Sequence, residues 1–334
     1  MTEPTSNHSA PKSSAAKNKP PRTFRQRLKR AVFIYAVVPY LTITLLAFLF
    51  QRQLMYHPTR AMSLDVKTSG LNADQVKDVA ISVNDGVTLR GWHLLGRNVT
   101  ATPAESDPHA DKDSVAPLAA EAARPEHSLV IYFPGNAQNR LLRLADLKEI
   151  QSCGADVLIF DYRGFGDSTG SPREVDMEAD ARAVWNFAQS ELGFKDHQII
   201  LFGESLGGAV VLSLWSAETD PVPTPKAVIL NSTFASMPRM AAATYPYFPF
   251  RWMVIDQWPS FERIARVNCP IIQFHGDSDE LVPLEEAEFL RSCARTSVEF
   301  QVIKGGTHNG LPTLPLRRTL KELIFGKNTE PPKF

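Results

Sequence analysis

Neither sign of charge dominates this sequence. Thirty-six Lys and Arg balance 36 Asp and Glu over 334 residues, so composition does not favour nucleic acid as a partner. Cysteine is scarce: Cys153, Cys269 and Cys293 are the whole set. An odd, sparse set does not make a disulfide framework. No C-x-x-C pair or Cys/His spacing suggests zinc, so no metal or other cofactor is expected. His275, Asp277 and Asp279 crowd one loop, but the glycine and distant glutamate of a calcium loop are missing.

Charge is absent from one long run and concentrated before it. Residues 1–30 carry Lys12, Lys17, Lys19, Arg22, Arg25, Arg27, Lys29 and Arg30 against a single acid, Glu3. The remainder is mostly Pro, Ser, Asn and Ala, which cannot bury apolar surface; a disordered basic tail is expected over 1–30. Ala31 to Phe50 follows without a charge. Its length matches the roughly 20 residues that span a bilayer core. Pro39 is tolerable in a membrane helix. One transmembrane helix over 31–50 is the expectation. A cleaved signal peptide would have a shorter apolar stretch and a small-residue cleavage site. The basic N-terminal flank predicts a cytoplasmic N-terminus and an extracytoplasmic body, periplasmic in a bacterium.

Apolar residues, 43 % of the chain, allow a sizeable core. Two strand-like runs, Asp78–Val83 and Val87–Leu95, flank Asn84-Asp85-Gly86, a hairpin signal. Residues 97–127 are rich in Ala, Pro and Asp and read as a flexible surface insertion. Strand and helix then alternate. Strands are expected over 128–133, 155–162, 198–203, 226–231, 270–276 and 297–303. The runs are continuously apolar, the pattern of strands buried on both faces, so a mostly parallel sheet covered by helices is predicted. The predicted body is one domain over 52–330. Residues 233–261, rich in aromatics and proline, break the rhythm and read as a lid-like segment.

In such a sheet, ligand sites lie beyond the carboxyl ends of the strands. Gly203-Glu204-Ser205-Leu206-Gly207 is a G-x-S-x-G sequence between a predicted strand and a predicted helix. A turn that sharp needs small flanking residues, and it exposes the serine hydroxyl. Alone the motif is weak, since serine also caps helices. An acid and a histidine at later strand ends strengthen it. Asp277 and Asp279 follow the strand 270–276, and His308 follows the strand 297–303. Spacing leaves either aspartate open as the acid. Among eight histidines, only His275 rivals His308 by position.

Four stretches together, Phe133–Asn139 (FPGNAQN), Asp161–Pro172 (DYRGFGDSTGSP), Gly203–Gly208 (GESLGG), and His275–Pro283 (HGDSDELVP) with the later GGTHN, give a resemblance. The chain resembles serine hydrolases of the α/β-hydrolase fold over roughly 50–325. It is most similar to the membrane-anchored branch with BEM46-like and ABHD13- or ABHD17-like proteins. The resemblance implies Asp279, the fifth residue of HGxxD, as the acid. It also shows a departure: Pro134 stands where many relatives have His.

The chemistry expected is then definite. His308 takes the Ser205 proton as general base. Asp279 orients and stabilises the imidazole. The backbone N–H groups of Leu206 and Asn136 receive the oxyanion. Within the lid-like segment, Tyr245, Tyr247, Phe248, Phe250 and Trp252 are candidates for an acyl pocket, against the plainer reading that they pack on the core. The substrate expected is a hydrophobic or lipidic carboxylic ester or thioester. A serine peptidase of the same fold and a non-catalytic membrane protein are the competing readings.

Overall fold

The computed structural model describes residues 23–69, 71, 74–96, 127–216, 220–310 and 312–326. The expected tail over 1–22 and the insertion over 97–126 lie outside the described residues. Two compact units divide between Leu46 and Ala47.

Among the described residues one helix, Phe24–Leu49, is long and apolar enough to cross a membrane by length and composition. It begins seven residues before the uncharged run, so the end of the expected tail, Phe24 to Arg30, is helical. The cause is a capping box. Gln26 N–H donates to Thr23 Oγ1 at 3.4 Å, and Thr23 N–H donates to Gln26 Oε1 at 3.0 Å. Phe33–Val37 forms a wider π turn just before Pro39, with Val38 N–H bonded to Phe33 O. Proline cannot donate, and its ring crowds the carbonyl four residues back, so the local winding loosens.

The second unit is built on an eight-stranded sheet. Its strands are β1 (Val76–Ser82), β2 (Thr88–Leu94), β3 (Leu129–Phe133), β4 (Asp156–Phe160), β5 (Ile199–Glu204), β6 (Ala227–Asn231), β7 (Ile271–Gly276) and β8 (Val298–Ile303). The spatial order is β8-β7-β6-β5-β3-β4-β2-β1. β3 to β8 pair in parallel, while β2 runs antiparallel to both β1 and β4. The hairpin turns at Asp85 (φ 62°) and Gly86 (φ 69°), the left-handed pair that a tight turn demands.

Both faces of the sheet's inner strands are buried, while the edge strands β1 and β8 keep exposed positions. Leu129, Ile131 and Phe133 of β3 join one apolar cluster, and Val130 and Tyr132 join the other. This is why the runs read as unbroken apolar stretches rather than alternating ones. Helices Glu174–Ser190 and Leu206–Ser213 bury apolar side chains on the first side, and Leu144–Gln151 and Thr313–Phe325 on the second. All three cysteines are free, and burial pushes the Cys153 and Cys269 thiols up to about 11 and about 12. They are inert packing groups.

The connector after the first helix is not loose. Gln51–Met55 forms a short helix, and His57–Pro58 pairs in parallel with Ala137–Gln138. Arg52 grips the buried Asp256 through Nε (3.1 Å) and Nη2 (3.0 Å), and the Tyr56 hydroxyl donates to the same carboxylate at 3.0 Å. These partners lie some 200 residues away in sequence, beyond the reach of any local pattern.

Candidate active site

Ser205 stands between β5 and the helix Leu206–Ser213 with φ 52° and ψ −116°. A non-glycine residue in that region is strained by about 1–3 kcal/mol, and it persists because the neighbours fix it. Gly207 is the clearest case. A Cβ there would meet Phe133 O at 1.9 Å and Pro134 O at 2.7 Å. The helix N-terminus is thus pressed on the loop after β3, and only a hydrogen fits between them.

Three side chains named from separate stretches meet at this corner. Ser205 Oγ lies 3.0 Å from His308 Nε2, and His308 Nδ1 lies 2.9 Å and 3.1 Å from the two Asp279 oxygens. The loops that bring them together leave the adjacent strands β7 and β8. Ser278 N–H donates to Gly306 O at 2.9 Å and Asp277 N–H to Ile303 O at 3.1 Å. A Cβ on Gly276 would strike Gly306 O at 2.1 Å, so this junction also depends on glycine.

The choice between the two aspartates is decided by their partners. Asp277 is exposed and accepts from Gly305 N–H at 2.6 Å, fixing the histidine loop. Asp279 is buried and faces His308. Burial raises its carboxyl pKa, but the His308 hydrogen bond and the Val282 and Leu281 N–H groups outweigh that and hold it below the ordinary value. His275, the positional rival, is fully buried, and its Nε2 donates to Val282 O at 2.8 Å. Burial pushes its pKa down, so it props the acid loop as a neutral ring.

Leu206 opens the helix beside Ser205, and Asn136 lies in the loop after β3. Gly135 abuts Ser205: a Cβ there would sit 3.6 Å from Ser205 Cβ. The two expected backbone donors therefore belong to segments flanking the serine. The arrangement is suited to a definite task. An imidazole held by a buried carboxylate can take the serine proton, and amides at a helix N-terminus can stabilise the charge that follows.

The structure adds residues that motif reading missed. Glu204, beside Ser205, is buried and accepts from the Tyr132 hydroxyl at 2.5 Å and from Arg143 Nη1 at 3.1 Å. Tyr162 donates to Pro134 O at 2.7 Å. Arg143 reaches Gly135, whose Cβ would lie 3.3 Å from Nη2. These groups brace the loop carrying Gly135 and Asn136. The Asn136 side chain donates to Met55 O, and His57 N–H donates to Asn136 O at 3.3 Å. In the stretch 161–172, Asp161 accepts from Arg140 and Arg163 pairs with Asp180 at 2.6 Å. Those bonds tie the stretch to its neighbours.

The five aromatics proposed for a pocket divide into a ring cluster and two exposed rings. Phe248 and Phe250 stack at 4.9 Å, and Tyr245 meets Phe250 edge-on at 5.4 Å. Tyr247 is 87 % and Trp252 75 % exposed, so neither walls an enclosed pocket. Proline-punctuated backbone around them, Pro246 to Pro249, turns too often to seat every ring inward.

A family model described as the alpha/beta hydrolase fold matches residues 128–253. The uncharacterized protein Rv2307c of Mycobacterium tuberculosis is 32 % identical over 282 residues, 84 % of this chain and 89 % of that one. The chain belongs to the α/β-hydrolase fold family. Other α/β-hydrolase relatives carry names that describe chemistry. Mouse lysophosphatidylserine lipase ABHD12 is 29 % identical over 235 residues, 66 % of this chain and 56 % of the lipase. The Pyrococcus furiosus esterase Pf2001 superposes with a TM-score of 0.55 at 18 % identity, covering 81 % of this chain and 97 % of the esterase. At that identity the likeness speaks for the fold alone. Together these comparisons place the chain among α/β hydrolases.

Proposed function

We propose that the protein is a membrane-anchored serine hydrolase that cleaves carboxylic ester or thioester bonds of hydrophobic or lipidic substrates through an acyl-enzyme. The observation that carries this reading is the 3.0 Å approach of Ser205 Oγ to His308 Nε2, with Asp279 at 2.9 Å behind the ring. His308 removes the hydroxyl proton as Oγ attacks the carbonyl carbon, and the Asp279 carboxylate stabilises the imidazolium. The N–H groups of Leu206 and Asn136 receive the oxyanion. The imidazolium then protonates the leaving alcohol or thiol, and water attacks the acyl-serine by the same route.

The helix Phe24–Leu49 supports the anchor, with the N-terminus cytoplasmic and the catalytic unit extracytoplasmic, periplasmic in a bacterium. Kinship with the membrane-anchored BEM46-, ABHD13- and ABHD17-like branch belongs to the same reading. The name of the ABHD12 relatives favours single-chain lipid esters of the lysophospholipid kind as substrates. A fluorophosphonate probe tests the nucleophile. The wild type takes the label and Ser205→Ala does not; labelling that persists in Ser205→Ala sinks the serine mechanism. Panels of lipid esters, thioesters and peptides then separate a lipase from a peptidase.

A further inference from the structure

The lid-like segment shows a surface that the site itself does not use. Tyr245, Tyr247, Trp252 and Ile255 are all more than half exposed. Beside them stands the short helix Gln51–Met55, flanked by exposed Phe50 and carrying exposed Leu54. Two hydrogen bonds fix the segments side by side: Ile255 N–H to Gln51 Oε1 at 2.7 Å and Gln51 Nε2 to Met253 O at 3.3 Å. The Arg52–Asp256 pair locks the same junction. Along 237–255 there is no Asp or Glu. Arg251 is exposed and lies over the Trp252 ring at 5.0 Å.

We propose that this face is a bilayer-docking surface that seats the mouth of the active site against the lipid headgroups. The occupant follows from chain continuity. Gln51 is two residues beyond the end of the apolar helix Phe24–Leu49, so the face begins where the chain leaves the hydrocarbon. Its chemistry matches that depth. Trp and Tyr are enriched at the membrane–water interface, apolar side chains reach below it, and an arginine meets anionic headgroups. The same segment leads to the site: Gln51–Met55 is helical, and Met55 and His57 bond Asn136. Five helical residues and two extended ones cover about 15 Å. The docked face and the loop carrying Asn136 are thus joined by one short, hydrogen-bonded segment. This inference rests on the anchor reading.

Tryptophan makes the test selective. Of the five tryptophans, Trp92, Trp185, Trp215 and Trp258 are buried, and Trp252 alone is exposed. Full-length protein is reconstituted in vesicles of phosphatidylcholine and phosphatidylglycerol with brominated acyl chains, and tryptophan emission is recorded. The expected result is quenching in the wild type that Trp252→Phe abolishes. No quenching, or quenching that survives Trp252→Phe, overturns the proposal; a second copy seated on the face would shield Trp252 and give the first of these. Carbonate extraction of the same vesicles reads the anchor separately. A chain that resists carbonate with Trp252 unquenched keeps the anchor and loses the face; one that washes out with Trp252 quenched does the reverse. Leu54→Gln with Ile255→Gln adds a functional arm. Removing two interfacial apolar groups lowers turnover of a vesicle-embedded ester roughly tenfold or more relative to a soluble ester. An equal effect on both esters would also overturn the proposal.

Discussion

Replacing Gly207 by Ala tests whether the contact between the nucleophile helix and the loop after β3 sets the catalytic geometry. The added methyl would lie 1.9 Å from Phe133 O, 2.6 Å from Phe133 C and 2.7 Å from Pro134 O. All three obstacles are backbone, so no side-chain rotation relieves them. Helix or loop must retreat by roughly 1.5 Å to restore ordinary contact distances. Overpacking of this kind costs about 1–3 kcal/mol, or about 2–6 °C in Tm for a domain of this size. The larger effect falls on rate. The retreat separates Leu206 N–H from Asn136 N–H, and a displacement of about 1 Å costs on the order of 10²-fold in kcat. Thermal unfolding and turnover of a soluble p-nitrophenyl ester read the two quantities. Gly193→Ala is the control: its Cβ meets nothing within 4 Å, but φ is +77°. Strain of about 1–2 kcal/mol is expected there without loss of rate. If Gly207→Ala kept its rate within about twofold, the close contact would not be what positions the oxyanion donors, and the argument would be refuted.

Other perturbations read other parts of the site. Ser205→Gly relieves the φ 52° strain that Ser205→Ala keeps; urea unfolding should find the glycine variant more stable by about 1 kcal/mol, with both inactive. Asp279→Asn should lower kcat by about 10³–10⁴-fold while KM stays close to wild type. Because folding depresses the Asp279 pKa, its contribution to stability is fully present above the ordinary 3.8 and lost as pH falls through the folded value. Acid unfolding of Asp279→Asn should therefore be less steep over that window. Glu204→Gln removes the nearer carboxylate from Arg143 and leaves Asp146 at 3.5 Å as its ion-pair partner, so the cost is about 1.5–3 kcal/mol, below that of a fully orphaned buried charge; denaturant titration of Glu204→Gln and of the Glu204→Gln/Arg143→Met pair should show the second change restoring part of the loss.

The parts of this fold readable from sequence are those set by neighbours in the chain. Unbroken apolar runs fixed strand after strand because both sheet faces are buried, and Asn84-Asp85-Gly86 marked the hairpin through its left-handed backbone. The glycines around Ser205 announced the sharp corner, because that turn tolerates nothing larger. The helix start at Thr23 was missed: Thr23 and Gln26 stand at capping-box spacing, but the basic, proline-rich composition around them read as a disordered tail.

What sequence left open concerns partners far apart in the chain. Asp277 and Asp279 are alike in type and two residues apart; only the loop geometry turns one toward Gly305 N–H and the other toward His308. The aromatics of 245–252 carry the same hydrophobicity as Trp258, yet Trp258 is buried with its Nε1 donating to Tyr56 OH, while Trp252 faces outward. Sequence by itself determined the order of strands and helices and the corner that lifts one hydroxyl out of the sheet. Tertiary structure alone decided which acid serves the histidine, which carboxylate braces the nucleophile, and which rings face solvent. The physical reason is that backbone preferences act over a few residues, whereas burial and hydrogen-bond satisfaction are settled only when strands distant in the chain come to lie side by side.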